Sequence, residues 1–156
     1  MKFFKVTSIL FACYLSGCSL ANQNLPNIET IPTQKPTNNT SIFRYYTDPV
    51  TKAQAMASVE GIFAWKNGCL YLIQKDGSCM TAIFPKYPED IVKWDEYSKT
   101  LSLNGHVFEM GDYIKSNGQY SKYYPDNDLE YEGQGAKSCL TPMLVEIGTI
   151  SLKKQS

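Results

Sequence analysis

Cys69-Leu70-Tyr71-Leu72-Ile73-Gln74-Lys75-Asp76-Gly77-Ser78-Cys79-Met80-Thr81-Ala82-Ile83-Phe84 is the stretch on which the fold turns. Two apolar runs flank Asp76-Gly77, a pair suited to the positive backbone angles of a tight turn, so the segment reads as a β-hairpin. Its first arm is apolar on both faces, with Leu70 and Leu72 on one and Tyr71 and Ile73 on the other. A sheet that wets one side alternates apolar with polar residues. These are therefore expected to be central strands covered on both sides, as when a sheet curls into a closed barrel.

The same texture extends outward. Gly61 to Lys66 ends at the turn pair Asn67-Gly68, and Thr100 to Leu103 is joined by Asn104-Gly105 to His106–Met110 as a second hairpin. Glu146 to Lys153 reads as a closing strand. One helix signal precedes them: Asp48 as cap, Pro49 at the first helical position, and Val50, Ala53 and Ala57 at helical spacing. The expected fold is mainly β, a small barrel of five to six strands with one short N-terminal helix.

Ser116 to Val145 lacks clean periodicity and is expected to be a long loop, of the kind that is functional, disordered or pinned. It holds Tyr120, Tyr123, Tyr124 and Tyr131 beside Asp126, Asp128, Glu130 and Glu132. Tyrosine offers a large contact area with a hydrogen-bonding tip, so Tyr120, Tyr123, Tyr124, Tyr131, Asp126 and Asp128 form the candidate binding surface. A solvated loop is the bland alternative. Calcium is a weaker one, because the Asp-x-Asp-x-Asp-Gly spacing is absent.

The N-terminus carries an address. Lys2 and Lys5 precede the apolar run Val6–Leu15, which is too short to span a bilayer and has the form of a signal peptide. It closes on Leu15-Ser16-Gly17-Cys18, which resembles the lipobox of bacterial lipoproteins. The resemblance implies removal of residues 1–17, lipidation of Cys18 and anchoring by acyl chains. Ser19 after the cysteine, by the same resemblance, leans toward the periplasmic side of the outer membrane. Residues 18–41, rich in Asn, Thr and Pro, read as a disordered tether, and 42–153 as the folded domain.

Within that domain Gly68-Cys69-Leu70-Tyr71-Leu72, Phe84-Pro85, Trp94-Asp95, Leu103-Asn104-Gly105, Gly111-Asp112 and Cys139 together resemble a recurrent, poorly characterised domain of bacterial lipoproteins. The resemblance covers about residues 60–150 and implies an OB-like barrel. It brings no active site with it.

Of five cysteines, Cys13 leaves with the signal and Cys18 takes lipid, so Cys69, Cys79 and Cys139 remain. If Asp76-Gly77 is a two-residue turn, Cys79 faces Gln74 and Cys69 faces Phe84. Cys69 and Cys79 then lie far apart along the hairpin and on opposite faces, beyond the roughly 4.4–6.8 Å between Cα atoms that a disulfide allows. A Cys69–Cys139 bridge pinning the loop is expected, with Cys79 a buried free thiol; Cys79–Cys139 is the alternative.

Loss of residues 1–17 leaves thirteen basic against fifteen acidic residues, a net charge of −2 with no basic stripe, which argues against nucleic acid as a partner. His106, the single histidine, has no orienting carboxylate or nucleophile in its spacing. Asp112 reads as a turn cap, and Trp65 and Trp94 as core or barrel-closing residues. The reading that follows is a lipid-anchored, non-enzymatic envelope module without cofactor or metal, binding a protein or glycan. A structural envelope-integrity or assembly factor is the alternative, and a hydrolase is disfavoured.

Overall fold

A computed structural model describes residues 39–155, and the chain there is mainly β. The strands are β1 (Phe43–Tyr45), β2 (Ala57–Lys66), β3 (Cys69–Ile73), β4 (Cys79–Pro85), β5 (Val92–Asp95), β6 (Thr100–Leu103), β7 (His106–Glu109), β8 (Tyr113–Lys122), β9 (Met143–Ile147) and β10 (Lys153–Gln155). Five of them close a barrel in the order β2-β3-β4-β9-β8, with β8 returning to β2. All pairs are antiparallel except β4 with β9. β1 lies parallel to the far end of β4, and β10 lengthens the sheet beside β8.

The turn chemistry is the one the sequence indicates. Asn67-Gly68 and Asn104-Gly105 each take positive φ at both positions and join directly paired residues, Lys66 with Cys69 and Leu103 with His106. Such twisted two-residue turns match the right-handed twist of the flanking strands. Where β2 passes β3, a Cβ on Gly61 would lie 2.6 Å from the Ile73 carbonyl oxygen. On β8, a Cβ on Gly118 would lie 1.9 Å from the Glu146 carbonyl oxygen, so only glycine permits that approach to β9.

Alternation along β3, β4 and β9 sends Leu70, Leu72, Ala82, Phe84, Val145 and Ile147 into the barrel, where Val59, Phe63 and Ile114 meet them. The meander β5-β6-β7 is a separate sheet whose Val92, Leu101, Leu103 and Phe108 join the same core. Phe63 stacks edge-on against Phe108 at 5.3 Å between centroids and lies 6.3 Å from Phe84.

Four expectations need correction. No helix follows Asp48: its carboxylate accepts from the Val50 and Thr51 amides, and the chain leaves this single turn at Lys52, whose φ is 53°. Val50 is 87% exposed, so no apolar face exists to stabilise further turns. The first hairpin is one residue out of the expected register. Its turn is closed by Gly77 N–H donating to the Gln74 carbonyl, with Gln74 N–H donating to Ser78, so Ile73 faces Cys79. That three-residue loop places Gly77 at φ 84° and moves Cys79 to the outer face, where the free thiol is exposed instead of buried. The closing strand is Met143–Ile147, not Glu146–Lys153. The chain leaves the ladder at Gly148, whose N–H donates to the Asn117 carbonyl, while the Asn117 side chain accepts from the Ile150 and Ser151 amides. Finally, β8 runs to Lys122, so the long loop is Tyr123–Pro142, shorter than expected.

Candidate functional site

The residues between β8 and β9 form a compact body on the outside of the barrel. Local structure begins at Asp128, whose carboxylate accepts from the Tyr124 amide at 2.8 Å and leads into the single helical turn Leu129–Glu132. Glu132 is the hub. Its carboxylate accepts from the Tyr123 hydroxyl at 2.6 Å and the Asp126 amide at 3.2 Å, and pairs with Lys137. Its side chain is only 6% exposed. These donors, led by Lys137, hold the Glu132 carboxyl down at about 2, while the hydrogen bond to that carboxylate, with desolvation, pushes the Tyr123 phenol up to about 12.

Three attachments fix this body to the strands. Gln134 offers its amide to β1 as a strand would, accepting from the Arg44 N–H at 2.6 Å and donating to the Arg44 carbonyl at 2.9 Å. Cys139, in the 3-10 turn Lys137–Cys139, is disulfide-bonded to Cys69 at the start of β3. The Thr81 hydroxyl donates to the Cys139 carbonyl at 2.7 Å, and the Thr141 amide donates back to the Thr81 oxygen. Beneath these anchors lies a second core of Phe43, Tyr45, Cys69, Ile83, Cys139 and Leu144, packed against Tyr71, Tyr123, Tyr131 and Leu140.

The six residues of the candidate surface divide accordingly. Tyr120 sits on β8 outside the loop, its hydroxyl accepting from Gln74 Nε2 at 2.7 Å. Tyr123 and Tyr131 turn into the second core, and Asp128 caps the helical turn. Tyr124, 55% exposed, and Asp126, in the left-handed region at φ 68°, point outward. Glu146 on β9 is half-buried near Tyr45 and Tyr131. Desolvation pushes its carboxyl above the usual range, and burial together with the Glu146 charge pushes Tyr131 up to about 12.

Elsewhere, Asp112 accepts from the Glu109 amide and pairs with Lys154 at 2.5 Å, as a turn cap would. His106 is exposed at the start of β7. The indole N–H groups of Trp65 and Trp94 donate to Thr40 Oγ1 and Glu96 Oε2, which strap residue 40 to the barrel. Among the described residues no group of three His, Cys, Asp or Glu side chains converges as metal ligands do. Cys18 lies outside the described residues. Compared with protein-family models, with curated proteins and with solved structures, the chain finds no match in any of the three.

Proposed function

We propose that this chain is a lipid-anchored module of the bacterial cell envelope that binds a protein or glycan and performs no catalysis. The observation that carries the reading is the loop Tyr123–Pro142. Beyond one bond at its base, from the Tyr123 N–H to the Pro142 carbonyl, it adds nothing to the barrel ladder, yet a disulfide, an amide pair and a nearly buried carboxylate hold it in one shape. A preformed body presenting Tyr124 and Asp126 loses little freedom on binding, which favours affinity. The strand order supports an OB-like barrel as scaffold, since that architecture uses the faces and loops beside its second and third strands for ligands. Here those strands are β3 and β4, and the pinned loop crosses them.

The anchor rests on the lipobox-like Leu15-Ser16-Gly17-Cys18, with Ser19 favouring the outer membrane. Changing Cys18 to Ala should move the protein out of the membrane fraction; unchanged membrane association rejects the address. For binding, Tyr124→Ser combined with Asp126→Asn should remove any partner that crosslinks to the wild-type protein in intact cells, with the thermal midpoint unmoved. Equal recovery by wild type and variant rejects the loop as the recognition surface.

A further inference from the structure

A groove runs along the outside of β2, β3 and β4 beside the pinned loop. Its volume is about 410 Å³, within the range of small-ligand sites. Ala64, Tyr71, Ile73 and Cys79 form the floor, Ser138 and Thr141 of the loop contribute a wall, and Lys66 and Asn67 stand at one end. The floor is continuous because Ala64 faces Tyr71 and Ile73 faces Cys79 across the strands. At Ile73's other side stands Ile62, 42% exposed, so this row has no cover among the described residues.

Lys66 is the only charged side chain in the lining, and no carboxylate of the described residues forms an ion pair with it. A site with one cation at its end and an apolar trough behind it complements a ligand with one anionic head and an apolar tail. From the Lys66–Cys69 pair to Ile73 is four residues along β3, roughly 13 Å, enough for about ten methylenes of an extended chain. A groove of about 410 Å³ has room for one such chain rather than two.

We propose that this groove binds a single-chain anionic amphiphile, a long-chain fatty acid, with its carboxylate at Lys66 and about the first ten methylenes laid along β3 to Ile73 and Cys79. The site is separate from the Tyr124–Asp126 surface, and either can fail without the other. Cys79 is a built-in reporter beside the bound chain: its thiol is raised by partial burial and drawn the other way by Lys66, which shares the groove.

The test uses the full-length chain in phosphatidylcholine vesicles and palmitate bearing a mid-chain diazirine. Irradiation should place adducts on Tyr71, Ile73 or Cys79, and unlabelled palmitate should slow maleimide alkylation of Cys79 at least fivefold. Ile73→Asp and Lys66→Glu should abolish both effects, Lys66→Arg should preserve them, and hexadecanol should protect about tenfold less well than palmitate. Circular dichroism of each variant separates lost binding from lost folding. Scattered adducts, or alkylation indifferent to palmitate, overturns the proposal. Protection that rises with protein concentration alone assigns the groove to a second copy, and protection by the vesicles alone assigns it to the bilayer; either result also overturns it.

Discussion

The same three strands, β3, β4 and β9, build two unlike interiors. Facing inward, Leu70, Leu72, Phe84, Val145 and Ile147 make a wholly apolar barrel core completed by Phe63 and Phe108. Facing outward, Cys69, Ile83 and Leu144 meet Tyr45, Tyr123, Tyr131 and Cys139 in a core edged with hydroxyls, a carboxylate and a disulfide. The inner core needs only burial, because ladder hydrogen bonds already satisfy its backbone. The outer core must hold down a loop without a ladder, and so relies on specific polar pairs and a covalent link. Stability is thus concentrated inside and shape specification outside.

Core truncation is the strongest way to break that contrast. Phe63→Ala removes a fully buried ring touching two others and should cost about 5 kcal/mol in urea unfolding. A loss near 1 kcal/mol would mean the barrel interior does not dominate. Removing the bridge with Cys69→Ser and Cys139→Ser, seventy residues apart, should cost about 4 kcal/mol in the chain-entropy description. The distribution matters more than the total: amides of 123–142 should exchange much faster, while those of β2 and β8 keep their order of protection.

Acid sharpens the comparison further. The folded Glu132 carboxyl titrates at about 2, below its ordinary 4.5, so its contribution is complete above pH 4.5 and is lost as pH falls toward 2. Hydrogen exchange from pH 5 to pH 2 should therefore show the loop opening before the barrel, and Glu132→Gln should show an open loop already at pH 5. Glu146 has the opposite sign. Its folded value is raised, so the native state holds the proton more tightly and stability declines as pH rises above the ordinary glutamate value. Glu146→Gln should raise the thermal midpoint slightly at pH 7 and leave it unmoved at pH 4; a lowered midpoint at pH 7 contradicts the desolvated placement.

How much of this was legible beforehand follows the same division. The barrel was readable because its signals are local: Asn67-Gly68 and Asn104-Gly105 dictate turns, and Leu70 and Leu72 fill the interior, although Tyr71 and Ile73, expected to be covered as well, stay half-exposed on the outer face. The Cys69–Cys139 bridge was expected and is present, although the hairpin register used to reach it was off by one; Gly77 after Asp76 fits a three-residue loop as well as a two-residue one. β8 was missed altogether: at its centre Ser116, Asn117 and Gly118 are all buried, which erases the period-two pattern. For the loop, composition pointed to Tyr and Asp but could not separate inward Tyr123 and Tyr131 from outward Tyr124. That separation depends on Glu132 reaching Lys137 and on Gln134 reaching Arg44, ninety residues away. The false helix at Asp48 had a cap and a proline but nothing to pack against.

The strap at residue 40 has a mechanical meaning. Thr40 is held by Glu96 and Trp65, Ser41 donates its N–H to the Gly68 carbonyl, and β1 then runs parallel to β4. Tension applied through the chain before residue 39 would load the β1–β4 hydrogen bonds together, in shear, instead of peeling them one at a time. The Ser41 attachment lies next to Cys69, so the load passes across the disulfide into the loop and into the barrel wall.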